Sequence, residues 1–257
     1  MIKVSVITIN FNNGEGLKKT ITSVLEQDTD NIEYIVIDGG SSDSSLEVIK
    51  RYSGKIHYWV SESDRGIYHA MNKGISKSNG DYLIFLNSGD IFSSPQSVNK
   101  LTSPEPSKDL IYGNLLLKRN GQIKEKCYPD FLKFSSVYIN SLPHPATLIK
   151  KSLFDKFGLY DENLKIASDW KFFLIALFKE GASYEHRGTV IATFSLDGIS
   201  SNTSTQSLIE AEKEETLRTY FPHLADDILT LKKLTKLRIK VAKNPISQFI
   251  FKKHLNS

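Results

Sequence analysis

Tyr82-Leu83-Ile84-Phe85-Leu86 is an unbroken apolar run that stops at Asn87-Ser88-Gly89-Asp90. Apolar residues in succession, with no alternating polar face, describe a strand buried on both sides, as in the middle of a parallel sheet covered by helices. Asn-Ser-Gly-Asp is turn chemistry, so the chain presents a carboxylate, Asp90, at the carboxyl end of that strand. In open α/β sheets this edge is where ligands bind. A carboxylate there suits a divalent cation that already carries phosphates, since Mg²⁺ takes one or two protein carboxylates plus substrate oxygens. The alternative is that Ser88 and Asp90 merely cap the next helix.

The preceding sequence supplies the rest of such a sheet. Val4 to Ile9 reads as a first buried strand, and Leu17, Ile21, Val24 and Leu25 recur at helical spacing up to about Gln27. Ile32 to Ile37 is a second strand ending at Asp38, with a helix marked by Leu46, Val48 and Ile49 behind a Ser42 or Asp43 N-cap. Ile56 to Val60 is a third strand, Ile67 to Ile75 a third helix, and the Phe85 strand is fourth. Unbroken strand–helix alternation predicts a parallel α/β sheet.

After Asp90 the pattern changes. Leu110 to Leu117 and Gln122 to Lys124 flank Asn120-Gly121, a hairpin signal. Pro143-His144-Pro145 forces an extended, turn-rich segment before a strand at Ala146 to Ile149. Asp169 to Phe178 reads as a helix, Val190 to Phe194 as a strand, and Ser200 to Ser207 as a polar loop. This half is mixed α+β.

At 257 residues the chain is long enough to bury a sizeable core. A single cysteine, Cys127, excludes an internal disulfide framework and a cysteine-based metal site. No apolar run approaches the ~20 residues that span a bilayer, and no signal peptide is legible, so a cytoplasmic site is expected. The net charge of +4 is uneven: Ile228 to Ser257 holds eight basic residues and no acidic one, which leaves the rest net acidic. Leu231, Leu234, Leu237, Ile239 and Val241 stand among those lysines until Pro245 and Phe249-Ile250-Phe251. A basic amphipathic stretch suits an anionic membrane surface, with a helix docked on the domain as the alternative. Nucleic acid is not expected, since the tail has no tyrosine or tryptophan platform.

Consecutive strand ends deliver polar clusters to one sheet edge: Thr8, Asn10 and Asn12, then Asp38, then Ser88 and Asp90, with Asp64 just after the third strand. Several such clusters on a wound sheet describe a nucleotide pocket. Gly39-Gly40-Ser41-Ser42 matches no phosphate-cradling glycine loop. The base would then be gripped by side-chain acceptors and the diphosphate by a cation at Asp90.

Val6-Ile7-Thr8-Ile9-Asn10-Phe11-Asn12, Val36-Ile37-Asp38-Gly39-Gly40-Ser41-Ser42-Asp43, Ser61-Glu62-Ser63-Asp64-Arg65-Gly66-Ile67-Tyr68-His69-Ala70-Met71-Asn72-Lys73-Gly74 and Asn87-Ser88-Gly89-Asp90 together resemble the family 2 glycosyltransferases. The resemblance covers residues 3 to about 95 closely. It continues more loosely to about 200 through Pro143-His144-Pro145-Ala146, Phe157-Gly158-Leu159-Tyr160-Asp161-Glu162 and Ala167-Ser168-Asp169-Trp170. It implies a GT-A fold, an α/β wound and mostly parallel sheet with a mixed α+β acceptor-side half, and here a basic C-terminal tail. The expected organisation is a GT-A domain over 1–222, with its nucleotide-binding half at 1–95 and its acceptor-side half at 96–222, then a basic amphipathic segment at 223–257.

The resemblance also implies an inverting transfer from a nucleotide-sugar, UDP-linked, to a hydroxyl of a glycan, lipid-linked through a polyprenyl carrier, in surface polysaccharide synthesis. By it, Asp38 accepts a hydrogen bond from uracil, with Thr8, Asn10 and Asn12 near the base and ribose and Asp64 lining the same pocket. Asn72, Lys73, Ser88 and Gly89 lie on the donor side. Asp90 matches the last acid of the family's D-x-D motif and would hold Mg²⁺ or Mn²⁺; Ser88 replaces the first acid, leaving one carboxylate anchor. Asp169 matches the family's catalytic base, which an inverting transfer needs within hydrogen-bond reach of the acceptor hydroxyl. Trp170 and His144 are then acceptor-side residues, Trp170 as a sugar-stacking face. Bland alternatives stand beside these: Asp38 as a turn carboxylate, Asp64 or Asp169 as helix caps, Asn72 and Lys73 on a solvated face. Asp43 reads as a helix cap. The rival functions are a sugar-phosphate nucleotidyltransferase, which would want arginine in the loop at 10–16, and a nucleotide-sugar-binding pseudoenzyme.

Overall fold

A computed structural model describes residues 2–196 and 205–242. The chain divides into two compact units, the second beginning at Ile209.

In the first unit the alternation is realised as β1 (Val4–Asn10), α1 (Gly14–Leu25), β2 (Ile32–Asp38), α2 (Ser45–Tyr52), β3 (Tyr58–Ser61), α3 (Ile67–Lys77) and β4 (Tyr82–Phe85). Then follow β5 (Ile91–Phe92), α4 (Ser97–Thr102), β6 (Leu110–Arg119), β7 (Gln122–Lys126), α5 (Phe134–Asn140), β8 (Thr147–Lys150), α6 (Ser152–Phe157), α7 (Ser168–Phe178) and β9 (Tyr184–Ser195). One sheet runs in the order β3-β2-β1-β4-β8-β6-β9-β5, with β7 beside β6. Its first four strands are parallel; β8 is antiparallel to both β4 and β6, and β9 returns parallel to β6.

The apolar run does form an interior strand: every residue of β4 is buried, between β1 and β8. From β1 the chain winds outward through β2 and β3 and comes back to pair β4 on the other flank of β1. In open α/β sheets the ligand crevice lies at such a reversal, here outside the carboxyl ends of β1 and β4. α1 turns Leu17, Ile21 and Val24 inward at helical spacing. α3 lies so close to β1 that a Cβ at Gly74 would stand 2.5 Å from Ile7 Cγ2, so only glycine fits. Asn120 and Gly121 take positive φ at the tip of the predicted β6–β7 hairpin.

An aromatic cluster buttresses the carboxyl end of β4. Phe85 stacks on the His144 ring at 4.6 Å and meets Tyr160 edge-on at 5.5 Å, while Phe154 stacks on Phe172 at 4.6 Å. Such pairs add about 0.5–1.5 kcal/mol each beyond area burial. They fix the turn carrying His144 and the start of α7 against β4.

The helices α8 (Gln206–Tyr220) and α9 (Pro222–Ala242) follow. Within the second unit Arg218 pairs with Asp226 and Lys232 with Glu210. Gln206 and Ser207 belong to α8; the remainder of the expected loop up to 204, Pro245 and Phe249 to Phe251 lie outside the described residues. No helix among the described residues is long and apolar enough to cross a membrane.

Candidate active site

Asp38, at the end of β2, is wholly buried. Its Oδ1 accepts from Asn10 Nδ2 (2.7 Å) and Ser41 Oγ (2.6 Å), and its Oδ2 from Ser41 N (3.0 Å) and Ser61 Oγ (2.6 Å). Burial raises the carboxyl's pKa, but the donors from Ser41, Ser61 and Asn10 outweigh it and hold the group below its ordinary range. Each of its oxygens accepts two hydrogen bonds from within the protein, and the group ties together the ends of β1, β2 and β3. Thr8 is likewise buried, with its Oγ1 donating to the Leu86 carbonyl and paired to the Tyr34 hydroxyl. It too is structural.

The open side of the crevice is lined by other groups. Asn12, at φ 49°, accepts from Ser42 N and donates its backbone N–H to Ser41 Oγ, shaping the 38–43 turn. Asn10 is buried with its Oδ1 unpartnered. A Cβ at Gly39 would come within 2.5 Å of Asp64 Oδ2 and 3.3 Å of the Phe11 ring, so these two groups converge above that glycine. Phe11 is 65% exposed, and Asp64 Oδ1 accepts from Gly66 N at 2.9 Å. An exposed ring beside a carboxylate is what a flat heterocycle with an N–H edge requires.

On the β4 side, Asn13 caps α1 through Gly16 N and donates its amide to the Ser88 carbonyl, and Thr20 Oγ1 accepts from Gly89 N and donates to the Asp90 carbonyl. The turn is thus stitched to α1, with Gly89 at φ 104°. Asp90 is buried, and one backbone N–H, from Ser195 at 3.1 Å, reaches its Oδ1. Burial pushes its carboxyl up to about 7. In the same turn Asn87 Oδ1 is buried without a donor. This turn thus carries two oxygens short of hydrogen-bond donors, the ligand type that a hard cation takes. No three His, Cys, Asp or Glu side chains converge on a metal position among the described residues, so substrate oxygens would complete any such coordination.

The remaining predicted residues divide. Asn72, on α3, is buried, donating to the Tyr160 carbonyl and Glu162 Oε1 and accepting from Tyr160 N. Its amide bonds to this loop. Lys73 pairs with Glu62 at 2.8 Å. Trp170 is 2% exposed, its indole N–H donating to the Val137 and Tyr138 carbonyls. It is a core residue and offers no face to a sugar, against the expectation of a stacking surface on the acceptor side.

Asp169 lies in the first turn of α7, which has no side-chain N-cap, and its side chain is 25% exposed. Tyr68, from the first turn of α3, brings its hydroxyl to 2.8 Å from Asp169 Oδ1. His144 Nδ1 stands 4.0 Å from Asp169 Oδ2, and its Nε2 meets the Tyr160 hydroxyl at 2.9 Å. Burial lowers the imidazole's pKa, opposed by the Asp169 charge. Reading from the sequence missed Tyr68, Tyr160, Phe11 and Asn87. Tyr68 and Asn72 carried a signal in retrospect, since an i, i+4 pair shares one helix face, here the face turned to 160–169.

Residues 5–105 match the sequence profile of Glycosyl transferase family 2. An uncharacterised glycosyltransferase of Mycobacterium tuberculosis is 39% identical over 179 residues, spanning 67% of this chain and 68% of that protein. This chain belongs to glycosyltransferase family 2. A PGL/p-HBAD biosynthesis glycosyltransferase of Mycobacterium bovis is 24% identical over 207 residues, 77% of this chain and 79% of its own. Among solved structures, Staphylococcus aureus TarS 1-349 in complex with UDP-GlcNAc superposes with a TM-score of 0.65 at 17% identity, covering 85% of this chain and 71% of that one. A mannosyltransferase of Pyrobaculum calidifontis in complex with GDP-Man and Mn²⁺ gives 0.60 at 14% identity, over 96% and 82%. This glycosyltransferase has the GT-A fold that its family 2 sequence implied.

Proposed function

We propose that this family 2 glycosyltransferase is an inverting enzyme that moves a sugar from a uridine-diphosphate donor to a hydroxyl of a glycan acceptor. The observation that carries the reading is the Asp169 carboxylate, partly exposed at a helix N-terminus, bonded by the Tyr68 hydroxyl and 4.0 Å from His144 Nδ1. A carboxylate so mounted can receive a proton from an attacking hydroxyl. As the acceptor oxygen bonds to the anomeric carbon, its hydrogen passes to Asp169. The bond from that carbon to the diphosphate oxygen breaks on the opposite face, and the nucleotide leaves with the electron pair. Asp90 and Asn87 would hold a divalent cation, Mg²⁺ or Mn²⁺, which neutralises charge developing on the diphosphate. Phe11 and Asp64 would take the base by stacking and by accepting its N–H.

Uridine is favoured by the resemblance and by the UDP-GlcNAc bound to TarS; the GDP-Man in the mannosyltransferase makes guanosine the comparison to include. Lipid-linked surface glycan as acceptor, and peripheral attachment to the membrane through the basic tail, rest on the family resemblance and on the tail's sequence.

The test is UDP and GDP release from a panel of nucleotide-sugars, with and without Mn²⁺, by the wild type and by Asp169→Asn. Cation-dependent turnover of one donor, reduced roughly 10²–10⁴-fold in Asp169→Asn with nucleotide binding retained, is expected. Binding without turnover, even with glycan acceptors supplied, would mark a pseudoenzyme.

A further inference from the structure

Tyr68 is 4% exposed, and its hydroxyl faces two acceptors, Asp169 Oδ1 at 2.8 Å and the Ile166 carbonyl at 2.5 Å. A phenol has one hydrogen to donate. Burial, and next the Asp169 charge, hold this phenol well above its usual range, so it keeps that hydrogen while the carboxylate is charged. α3 is anchored in the turns that follow Tyr68: Asn72 grips the Tyr160 backbone, and Gly74 seats the helix on β1. The hydroxyl is therefore delivered by a rigid element, independent of the rotamer that Asp169 would choose in solvent.

We propose that Tyr68 is a positioning residue for the base: its hydroxyl holds Asp169 Oδ1, leaving Oδ2, on the His144 side, to take the acceptor's proton. The second acceptor completes the device. When Oδ2 gains the acceptor hydrogen, the carboxyl no longer needs a donor at Oδ1, and the Tyr68 hydrogen settles on the Ile166 carbonyl. No proton leaves the phenol, and no buried donor is stranded at either stage. The inference rests on the reading of Asp169 as base. The titratable groups bearing on that carboxylate are Tyr68 from α3, His144 from the turn before β8, and Tyr160.

Two measurements on the full chain test it. In steady-state kinetics, Tyr68→Phe is expected to lose about 10–100-fold in kcat, the worth of one hydrogen bond to a charged group, with KM for the donor unchanged. The acidic limb of its pH–rate profile should move to higher pH, because a donor that favoured the ionised base is gone. A purely structural tyrosine would lower the melting temperature and leave that limb in place. Independently of turnover, ¹³Cζ-tyrosine NMR should show Tyr68 ionising at lower pH in Asp169→Asn than in the wild type. A superposable limb in Tyr68→Phe, or an unaltered Tyr68 titration in Asp169→Asn, overturns the proposal. A wild type that turns over no donor even with glycan acceptors supplied removes Asp169 as base, while the NMR comparison still decides whether Tyr68 holds its carboxylate.

Discussion

His144 Nδ1 and Asp169 Oδ2 are separated by 4.0 Å, too far for a hydrogen bond and close enough for one oxygen to lie about 2.8 Å from both. Burial, with Asp169 adding to it, holds the Tyr160 hydroxyl well above its usual range, so it keeps its hydrogen; in the tautomer where that hydrogen is donated to His144 Nε2, 2.9 Å away, the imidazole carries its own on Nδ1. An acceptor hydroxyl in that gap would give its proton to Asp169 while Nδ1–H steadies the oxygen. His144→Phe keeps a ring against Phe85 and removes the N–H. Acceptor-dependent nucleotide release should fall about 10-fold or more, the effect of ~1.4 kcal/mol, with acceptor-independent donor hydrolysis unaltered.

Asp38 and Asp64 should behave oppositely. Asp38→Ala strands donors from Asn10, Ser41 and Ser61 in the interior and should cost about 3 kcal/mol or more of folding stability, read as a fall in denaturation midpoint. Asp64→Asn should leave that midpoint in place and weaken nucleotide binding about 10-fold in calorimetry. Equal affinities for wild type and Asp64→Asn would remove Asp64 from the base pocket.

Asp90→Asn separates cation binding from folding. Without cation the wild type carries a buried carboxylate with a single N–H partner, and a neutral amide of similar size relieves that cost. Melting in EDTA should therefore rise for Asp90→Asn, by about 1–3 kcal/mol in stability. Mn²⁺ should stabilise the wild type and leave the variant unaltered.

Glu33 sets an acid limit on the fold. Burial raises its pKa, but Ser5, Asn79 and Lys3 donate to it and bring the carboxyl down to about 2. Its folded pKa lies below the ordinary 4.5, so its contribution is complete above pH 4.5 and is lost as pH falls toward 2. The shift corresponds to about 3 kcal/mol. Glu33→Gln should lower stability at pH 7 and flatten the stability profile between those values in urea denaturation.

The sheet was legible because its strands are continuous apolar runs and its helices recur at helical spacing, signals carried by neighbours in sequence. β9 shows where that reach ends. Val190 to Phe194 was recognisable, but the strand begins at Tyr184, in a stretch, Tyr184-Glu185-His186-Arg187-Gly188, whose pairing with β6 is set by tertiary contact. The site divided on the same principle. Local motifs single out Asp90 and Asp169 as candidates. The burial of Trp170 depends on carbonyls of α5, thirty-odd positions away in sequence, and the saturation of Asp38 depends on Ser61. A motif names the side chains at a strand end; which of them still have a free lone pair is decided by partners the motif does not contain.

Asp43 bears on the electrostatics of the whole crevice. Its two carboxylate oxygens accept from Gly14 N, in the first turn of α1, and from Ser45 N, in the first turn of α2. The amino ends of helices are the usual place for a backbone to greet a phosphate. Here the positive poles of two of them converge on the protein's own anion and are quenched before any ligand arrives. A nucleoside diphosphate entering between β1 and β4 therefore meets no waiting helix dipole from that pair. In the reaction proposed above, its charge falls to a mobile counter-ion brought in with the donor and released with the product.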